Sequence, residues 1–207
     1  MLELGLFPLR LVAFPGERLP LNIFEPRYRE LMAECLERDE EFGIVLADDT
    51  GIRDIGTRAA IVEVLERLPD GRLNIIVEGR ERFRLAELTT GRTFHTGLVE
   101  PVADEDDPAG PDAAADVLRL LQALAAAAGV DVELPQPDSP TLSFAVAARV
   151  ELPLEDEQEL LELRSERRRL ARLSELLEEA VERTRLEREG HERAKTNGKL
   201  PHRPSRP

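Results

Sequence analysis

The sequence predicts an α+β protein in which the strands come first and the helices follow. Before residue 103, apolar and polar side chains alternate, whereas after residue 111 the apolar side chains recur every three to four positions. A charged segment that contains proline and glycine, residues 104–111, separates the two patterns. We therefore expect a β domain at 1–103, a linker at 104–111, a helical bundle at 112–189 and a disordered basic tail at 190–207.

The first strands and the first helix are indicated by proline and by apolar spacing. Pro8 and Pro15 bracket an apolar segment, residues 9–14, which proline would confine to a sheet edge. Residues 19–24 form a second short strand candidate. A helix is then expected to begin at Pro26, because apolar residues recur there at helical spacing. These residues are Tyr28, Leu31, Met32, Cys35 and Leu36.

A long hairpin is the clearest pattern in the front half. After a strand at 42–47, residues 61–68 are rich in strand formers and the turn Pro69-Asp70-Gly71 follows. In the returning strand, one set of alternate positions is apolar and predicts a single buried face. These positions are Leu73, Ile75, Val77, Phe83 and Leu85. Gly79 interrupts the alternation and indicates a bulge or bend, and residues 94–99 form the last strand.

Three helices are predicted in the back half. The first ends at Gly129, and the second is short, starting with Ser139-Pro140 and ending at Arg149. The third is expected to run unbroken from Glu155 to about Glu189. Its leucine stripe has two interpretations: packing within an intrachain bundle, or pairing of its free end with a partner helix or a second copy.

Charge and composition narrow the function classes. The net charge is −14, and the segment from His191 to the end holds five basic residues against one acid, a net charge of +4, so the rest carries −18. Such a body repels phosphate backbones, which argues against nucleic-acid binding. We interpret the basic tail as a solvated end; the alternative is a segment that binds nucleic acid or an acidic partner. No signal peptide or membrane span is recognisable, so we expect no membrane association and a cytoplasmic protein.

The residues that catalysis or metal binding requires are scarce. Both lysines, Lys195 and Lys199, lie in the tail, so the body offers no Ser–Lys dyad, Schiff base or phosphate-binding lysine. One cysteine and three histidines make a structural zinc site of the usual kind impossible. Cys35 lies on the apolar stripe of its helix, although a pair with His95 is conceivable. We therefore expect no catalytic residue, no metal and no cofactor.

Ordered motifs connect the chain to a known family. They are Leu6-Phe7-Pro8-Leu9, Ala13-Phe14-Pro15-Gly16, residues 19–28, Phe42-Gly43-Ile44-Val45, Gly56-Thr57, Asp70-Gly71-Arg72, Gly79-Arg80-Glu81-Arg82-Phe83, Leu152-Pro153-Leu154, residues 158–162 and Arg169-Leu170. In this order they resemble the N-terminal domain of Lon protease, over about residues 2–185. The resemblance implies a six-stranded, PUA-like pseudo-barrel with one helix, followed by a helical bundle with a long C-terminal helix. In full-length Lon an AAA+ motor and a Ser–Lys peptidase follow this domain. Because this sequence ends instead, it is more similar to the stand-alone members of the family.

The resemblance also implies binding of unfolded segments or degradation signals. We therefore expect a non-catalytic module that binds polypeptide segments or partner proteins and is linked to proteolysis as an adaptor; its oligomeric state is open. An open sheet edge and apolar pockets would hold the bound chain. The candidate peptide-binding residues are Phe7, Phe14, Leu21, Ile23 and Phe24, although each could also be a core residue. The alternatives are a helical scaffold or oligomerisation protein that acts through the long C-terminal helix, and, third, a hydrolase or RNA-modifying accessory.

Overall fold

The computed structural model describes the backbone of residues 1–197 and the side chains of residues 1–190. Over this range the chain forms six strands followed mainly by helices, with one helix between the second and third strands. The strands are β1 (Leu2–Leu9), β2 (Arg18–Ile23), β3 (Phe42–Asp48), β4 (Gly51–Arg67), β5 (Leu73–Thr89) and β6 (His95–Pro101). The helices are α1 (Pro26–Arg38), α2 (Pro111–Ala128), α3 (Leu142–Ala147), α4 (Leu154–Glu162) and α5 (Glu166–Asn197). The α+β prediction is confirmed.

The six strands form one sheet that closes on itself apart from β2. The order is β2-β5-β4-β3-β1-β6, and β6 also pairs with β5. Five strands therefore form a ring, in which only the β1–β3 pair is parallel. β2 pairs only with the first half of β5, so it extends the ring as an edge strand.

The hairpin and its irregularity are as the sequence predicts. β4 and β5 join at the predicted turn, where Gly71 takes a positive φ of 85° that glycine adopts without strain. The pairing register shifts next to Gly79, and a Cβ on this residue would lie 2.2 Å from the carbonyl oxygen of Phe14. The bulge therefore brings the loop after β1 against the hairpin. The predicted start of the hairpin at Ile61 was too late, since β4 begins at Gly51.

The predicted strand at 9–14 is wrong. β1 lies earlier, at Leu2–Leu9, because Leu4 and Leu6 are buried while Glu3 faces outward, and this alternation suits a strand. Residues 10–15 are a loop that ends in the predicted Pro15-Gly16 turn, with Gly16 at a φ of 80°. Pro8 is tolerated in the second-last residue of β1.

The predicted unbroken helix from Glu155 to Glu189 is also wrong. It divides into α4 and α5, because Leu163 takes an extended conformation with φ −62° and ψ 129°. Ser165 starts the second helix by accepting a hydrogen bond of 3.1 Å from the backbone N–H of Arg168. Residues 190–197 of the predicted tail belong to α5, and residues 198–207 lie outside the described residues.

The short helix predicted from Ser139 to Arg149 is shorter than expected. Ser139 does not cap it; its Oγ accepts a hydrogen bond of 3.3 Å from the backbone N–H of Thr141, and α3 starts one residue later. α2 ends as predicted at Gly129, which takes a φ of 73°.

Three apolar clusters hold the fold together. One fills the space between the ring, β2 and α1, and a smaller one lies among β1, β3, β5 and β6. The third joins Phe14, Leu46 and Ile55 of the sheet part to the helices. The leucines of α5 are buried in this third cluster, so the intrachain interpretation of the stripe is the observed one within residues 166–181.

Candidate functional site

The five predicted site residues lie in three different environments. Phe7 and Ile23 are buried in the cluster under α1, and Phe7 stacks on Tyr28 with ring centroids 4.4 Å apart. Phe14 is buried where the sheet meets the helices. Leu21 is half-buried, whereas Phe24 is 63% exposed. The structure therefore brings only Leu21 and Phe24 to the surface.

Phe24 directly follows the last residue of β2 and is exposed beside the β2–β5–β4 sheet. Two residues before it, Asn22 faces outward on β2, and its Nδ2 donates to Oδ1 of Asn74 on β5 at 2.5 Å. Asn74 in turn donates to Glu66 on β4 at 2.9 Å. This polar row crosses all three strands and fixes which side chains face outward.

Two bulges add exposed apolar side chains from β4 to the same face. The register against β5 shifts between Ile61 and Glu63 and again between Val64 and Glu66, so an extra residue lies in each interval. The extra residues are Val62 and Leu65, which are 38% and 53% exposed. A bulge lets the inserted residue share the outward side with its neighbour, which is why both side chains escape the core.

We name this face the outer apolar surface and define it by five side chains. They are Pro20, Phe24, Val62, Leu65 and Ile76. Ile76 is half-buried and pairs with Pro20 in register. An ion pair between Arg18 and Glu78, with Nε and Oε2 3.0 Å apart, borders the surface at one end, and the asparagine row crosses it between Pro20 and Phe24. Large apolar side chains that remain exposed beside a polar border are typical of contact surfaces.

Sequence reasoning missed Val62 and Leu65. A signal was available, because the apolar pairs Ile61-Val62 and Val64-Leu65 break strict alternation and cannot both point inward. The alternation of β5 alone suggested one buried face and gave no reason to look at β4.

The outer apolar surface adjoins an open strand edge. The N–H of Gly79 donates to the carbonyl oxygen of Glu17 at 2.9 Å, and the antiparallel register continues from there along β2. Backbone groups alternate in direction, so Leu19, Leu21 and Ile23 bond to β5 while Arg18, Pro20 and Asn22 face away. Within residues 1–197, β2 pairs with no second strand.

A buried network of charges fixes the sheet part to the helices. The guanidinium groups of Arg82 and Arg169 both donate to Asp104, in the segment predicted to be a linker. Arg82 also donates to the carbonyl oxygen of Leu163 at 2.7 Å, and Arg169 donates to the same oxygen at 2.7 Å. Both cations lie over the ring of Phe144, at 5.3 and 4.2 Å from its centroid. The break between α4 and α5 therefore supplies the carbonyl group that the two arginines share.

The two arginines respond differently to burial. Burial lowers the pKa of Arg82, with Asp104 opposing the shift. Burial also disfavours the charged form of Arg169. The hydrogen bonds that Arg169 donates to Asp104 and Glu166 outweigh this effect of burial, so the pKa of Arg169 is raised. Glu166 is itself held by the Oγ of Ser143 at 2.6 Å. The arginines, carboxylates and hydroxyl of this network use their hydrogen-bonding groups on one another, so we assign them a structural role.

Cys35, the cysteine considered as a nucleophile from the sequence, is buried in this structure. Burial raises the pKa of the Cys35 thiol to about 11, with Glu40 and Glu34 adding to the shift. The thiolate that would react is therefore scarce at neutral pH. Among the residues that the structure describes, no group of three or more His, Cys, Asp and Glu is placed to hold a metal ion.

Glu157 on α4 and Glu17 after the Pro15-Gly16 turn are two partly buried carboxyl groups. Burial, and then the charge of Glu17, raise the pKa of Glu157 to about 7. Burial also raises the pKa of Glu17, which accepts a hydrogen bond of 2.9 Å from the N–H of Phe14. Glu157 therefore changes protonation near neutral pH. Separately, no helix in the described part of the chain is long and apolar enough to cross a bilayer.

A family profile and several curated proteins match the sequence of this chain, and all of them concern Lon proteases. The profile of the ATP-dependent protease La (LON) substrate-binding domain matches residues 3–179. The Lon protease of Paraburkholderia phytofirmans is 31% identical over 211 residues, which cover 89% of this chain and 25% of that protein. Lon protease 2 of Myxococcus xanthus is 28% identical over 193 residues, which cover 84% of this chain and 23% of that protein. The chain thus spans about a quarter of the length of these relatives.

Solved structures give the same result. The Lon N-terminal domain protein of Xanthomonas campestris superposes with a TM-score of 0.66 at 26% identity, covering 84% of this chain and 97% of that chain. The N-terminal domain of the Mycobacterium avium complex Lon protease superposes with a TM-score of 0.65 at 17% identity, covering 85% and 98%. The second match, at its low identity, concerns the fold alone.

Proposed function

The chain belongs to the LON substrate-binding domain family, and from that premise we propose that it binds unfolded polypeptide segments on its outer apolar surface. The observation that supports this proposal most is the exposure of Val62 and Leu65 on one sheet face and of Phe24 directly after β2, beside a strand edge that no other strand within residues 1–197 pairs with. Burying such side chains against an apolar segment is favourable by roughly 25 cal/mol per Å². Of the five residues predicted from sequence, Phe24 remains in this proposal as a direct contact, whereas Leu21 lies on the opposite face of β2. Phe7, Phe14 and Ile23 support the surface from the cores.

We further propose that the bound segment is passed on to a Lon-type protease, with this protein as a cytoplasmic adaptor. The relatives that match are Lon proteases. In this chain, burial raises the pKa of the Cys35 thiol to about 11, which makes it a poor nucleophile for peptide hydrolysis at neutral pH. Binding without chemistry suits delivery of a client to a separate enzyme.

The scaffold alternative is less favoured. The apolar residues of α5 up to Val181 pack inside the protein, and of its side chains described beyond them only Leu186 is large, apolar and exposed. A partner helix would need a continuous apolar stripe.

Two substitutions and a matched control test the proposed surface. Phe24→Ser and Leu65→Ser remove apolar area from it, whereas Leu88→Ser removes a similarly exposed strand leucine, 48% against 53%, at the far end of β5. The probe is a reduced polypeptide with neutral blocked cysteines, followed by fluorescence anisotropy. The Phe24→Ser/Leu65→Ser double variant loses about 2 kcal/mol of apolar contact energy, so we expect it to bind the probe ~30-fold more weakly. Leu88→Ser should bind like the wild type. Equal binding by all three proteins would contradict the proposal.

A further inference from the structure

The open edge of β2 is a template for another strand. Arg18, Pro20 and Asn22 direct their backbone groups away from β5, and within residues 1–197 nothing pairs with them. The edge thus offers three carbonyl oxygens but only two N–H groups, because Pro20 has none. Proline at this place is tolerated because its missing donor falls on the unpaired side.

The side chains around the edge suit an extended apolar ligand. Leu19 and Leu21 are half-buried against the cluster under α1, so their edges stay accessible beside β2. Pro20 lies on the opposite face of β2. A strand added to β2 would therefore meet apolar side chains on both of its faces, and a helix laid there could not reach the edge groups.

We propose that the polypeptide binds as an added β-strand, by main-chain hydrogen bonds to Arg18, Pro20 and Asn22 of the β2 edge. This inference rests on the proposed function and specifies its substrate class: extended segments, recognised through their backbone as well as their apolar side chains. At Pro20 the ligand donates an N–H to the carbonyl oxygen, but the ligand's own carbonyl oxygen has no N–H to accept from, because proline has none. The edge therefore holds the strand more weakly at its centre than at Arg18 and Asn22, which suits a client that must later be released.

Backbone methylation separates this inference from apolar contact alone. The probe is a ten-residue peptide of alternating valine and threonine with an arginine at each end. In the test peptide two adjacent central amides carry N-methyl groups, which block both edges of the strand. The matched control carries the same two methyl groups at the terminal residues. Because adjacent amides face opposite edges of a strand, one of the two methyl groups faces β2, where it removes one donor and sterically blocks the pairing. The centrally methylated peptide should therefore bind about tenfold more weakly, while the control stays within about twofold of the unmodified peptide.

A change in the protein gives a second test that does not depend on the peptide chemistry. Pro20→Thr supplies the missing N–H at an exposed position of β2. We expect it to bind the unmodified peptide about threefold to tenfold more tightly and to leave binding of the centrally methylated peptide unchanged. A circular dichroism melt of the variant shows whether the edge strand has kept its fold.

The outcomes distinguish the two proposals. If the unmodified peptide and the unfolded polypeptide both fail to bind, the proposed function is wrong and this inference falls with it. If they bind in a way that depends on Phe24 and Leu65 but the centrally methylated peptide binds equally well, the surface is correct and the added strand is refuted. Should Pro20→Thr not fold, the peptide comparison alone decides.

Discussion

Asp104 is expected to hold the sheet part and the helices together, and its replacement by asparagine is the most informative test of the fold. The carboxylate accepts hydrogen bonds from Arg82 and Arg169, whose side chains are only 4% and 0% exposed. Asparagine keeps the size of the side chain but removes its charge and one acceptor. Two buried guanidinium groups would then lie 4.2 and 5.3 Å from the ring of Phe144 without their shared carboxylate.

The magnitude follows from burial and from the partners that remain. Breaking a fully buried ion pair costs about 3–5 kcal/mol. Asp104 is itself 33% exposed, and both arginines keep the carbonyl oxygen of Leu163. We therefore expect Asp104→Asn to lower the free energy of unfolding by about 2–3 kcal/mol.

Urea denaturation followed by circular dichroism measures this loss. The control is Asp106→Asn, an exposed residue of the same segment, which should change the free energy by no more than about 0.5 kcal/mol. If the free energy of unfolding of Asp104→Asn lies within about 0.5 kcal/mol of the control, Asp104 does not hold the sheet part to the helices.

Three further expectations follow from particular contacts. Because its pKa is raised from 4.5 to about 7, Glu157 holds its proton more tightly in the folded than in the unfolded protein, so its contribution to stability is present below pH 4.5 and is lost as the pH rises through 7. Glu157→Gln should therefore raise the free energy of unfolding at pH 8 by about 1 kcal/mol, a value reduced from the full linkage energy because solvent screens the charge. At pH 4 the same substitution should leave the free energy of unfolding unchanged. Urea titrations at both pH values measure this difference, with Glu178→Gln as the exposed control. Gly79→Ala should cost about 2–3 kcal/mol in the same assay because of the contact with the Phe14 carbonyl oxygen, whereas Gly190→Ala, with open space around it, should be neutral or slightly stabilising; equal effects would contradict the bulge geometry. Phe14→Ala should lower the free energy of unfolding by about 3–5 kcal/mol yet keep the wild-type dissociation constant for an unfolded polypeptide at a temperature where it is folded, and a lower affinity there would make Phe14 a direct contact.

Much of the fold follows from local sequence patterns. The hairpin β4–β5 was predictable because alternation, a Pro-Asp-Gly turn and an interrupting Gly79 agree with one another. α2 was predictable from its stripe and its terminal glycine. In these elements the local preference and the tertiary contacts point the same way.

The misplaced elements depend on contacts distant in sequence. α4 and α5 have one amphipathic pattern across Leu163, and the break is stabilised by Arg82, which is 81 residues away. β1 is hard to recognise because its outer residues alternate weakly, and because Pro8 near its end and Pro15 after it favour a strand at residues 9–14 instead. Neither signal can be read from a local window.

The sequence names five candidate binding residues but does not tell which of them are accessible. Phe24 is a candidate as an apolar neighbour of the proline-bracketed segment, but so are Phe7 and Ile23, which are buried. Sequence does not show which apolar residue of a short strand faces outward until the pairing partner is known. Val62 and Leu65 depend on two bulges in the β4–β5 register, which only the structure shows.

The central claim is that the outer apolar surface holds the polypeptide, and methyl NMR tests it most directly. With leucine, valine and isoleucine methyl groups labelled, an unfolded polypeptide is titrated into the protein and shift changes are followed residue by residue. We expect the largest changes at Val62, Leu65 and Ile76, with little change at Leu88 and Leu186. Changes centred on Leu88 or Leu186, or none at all at saturating polypeptide, would contradict the account.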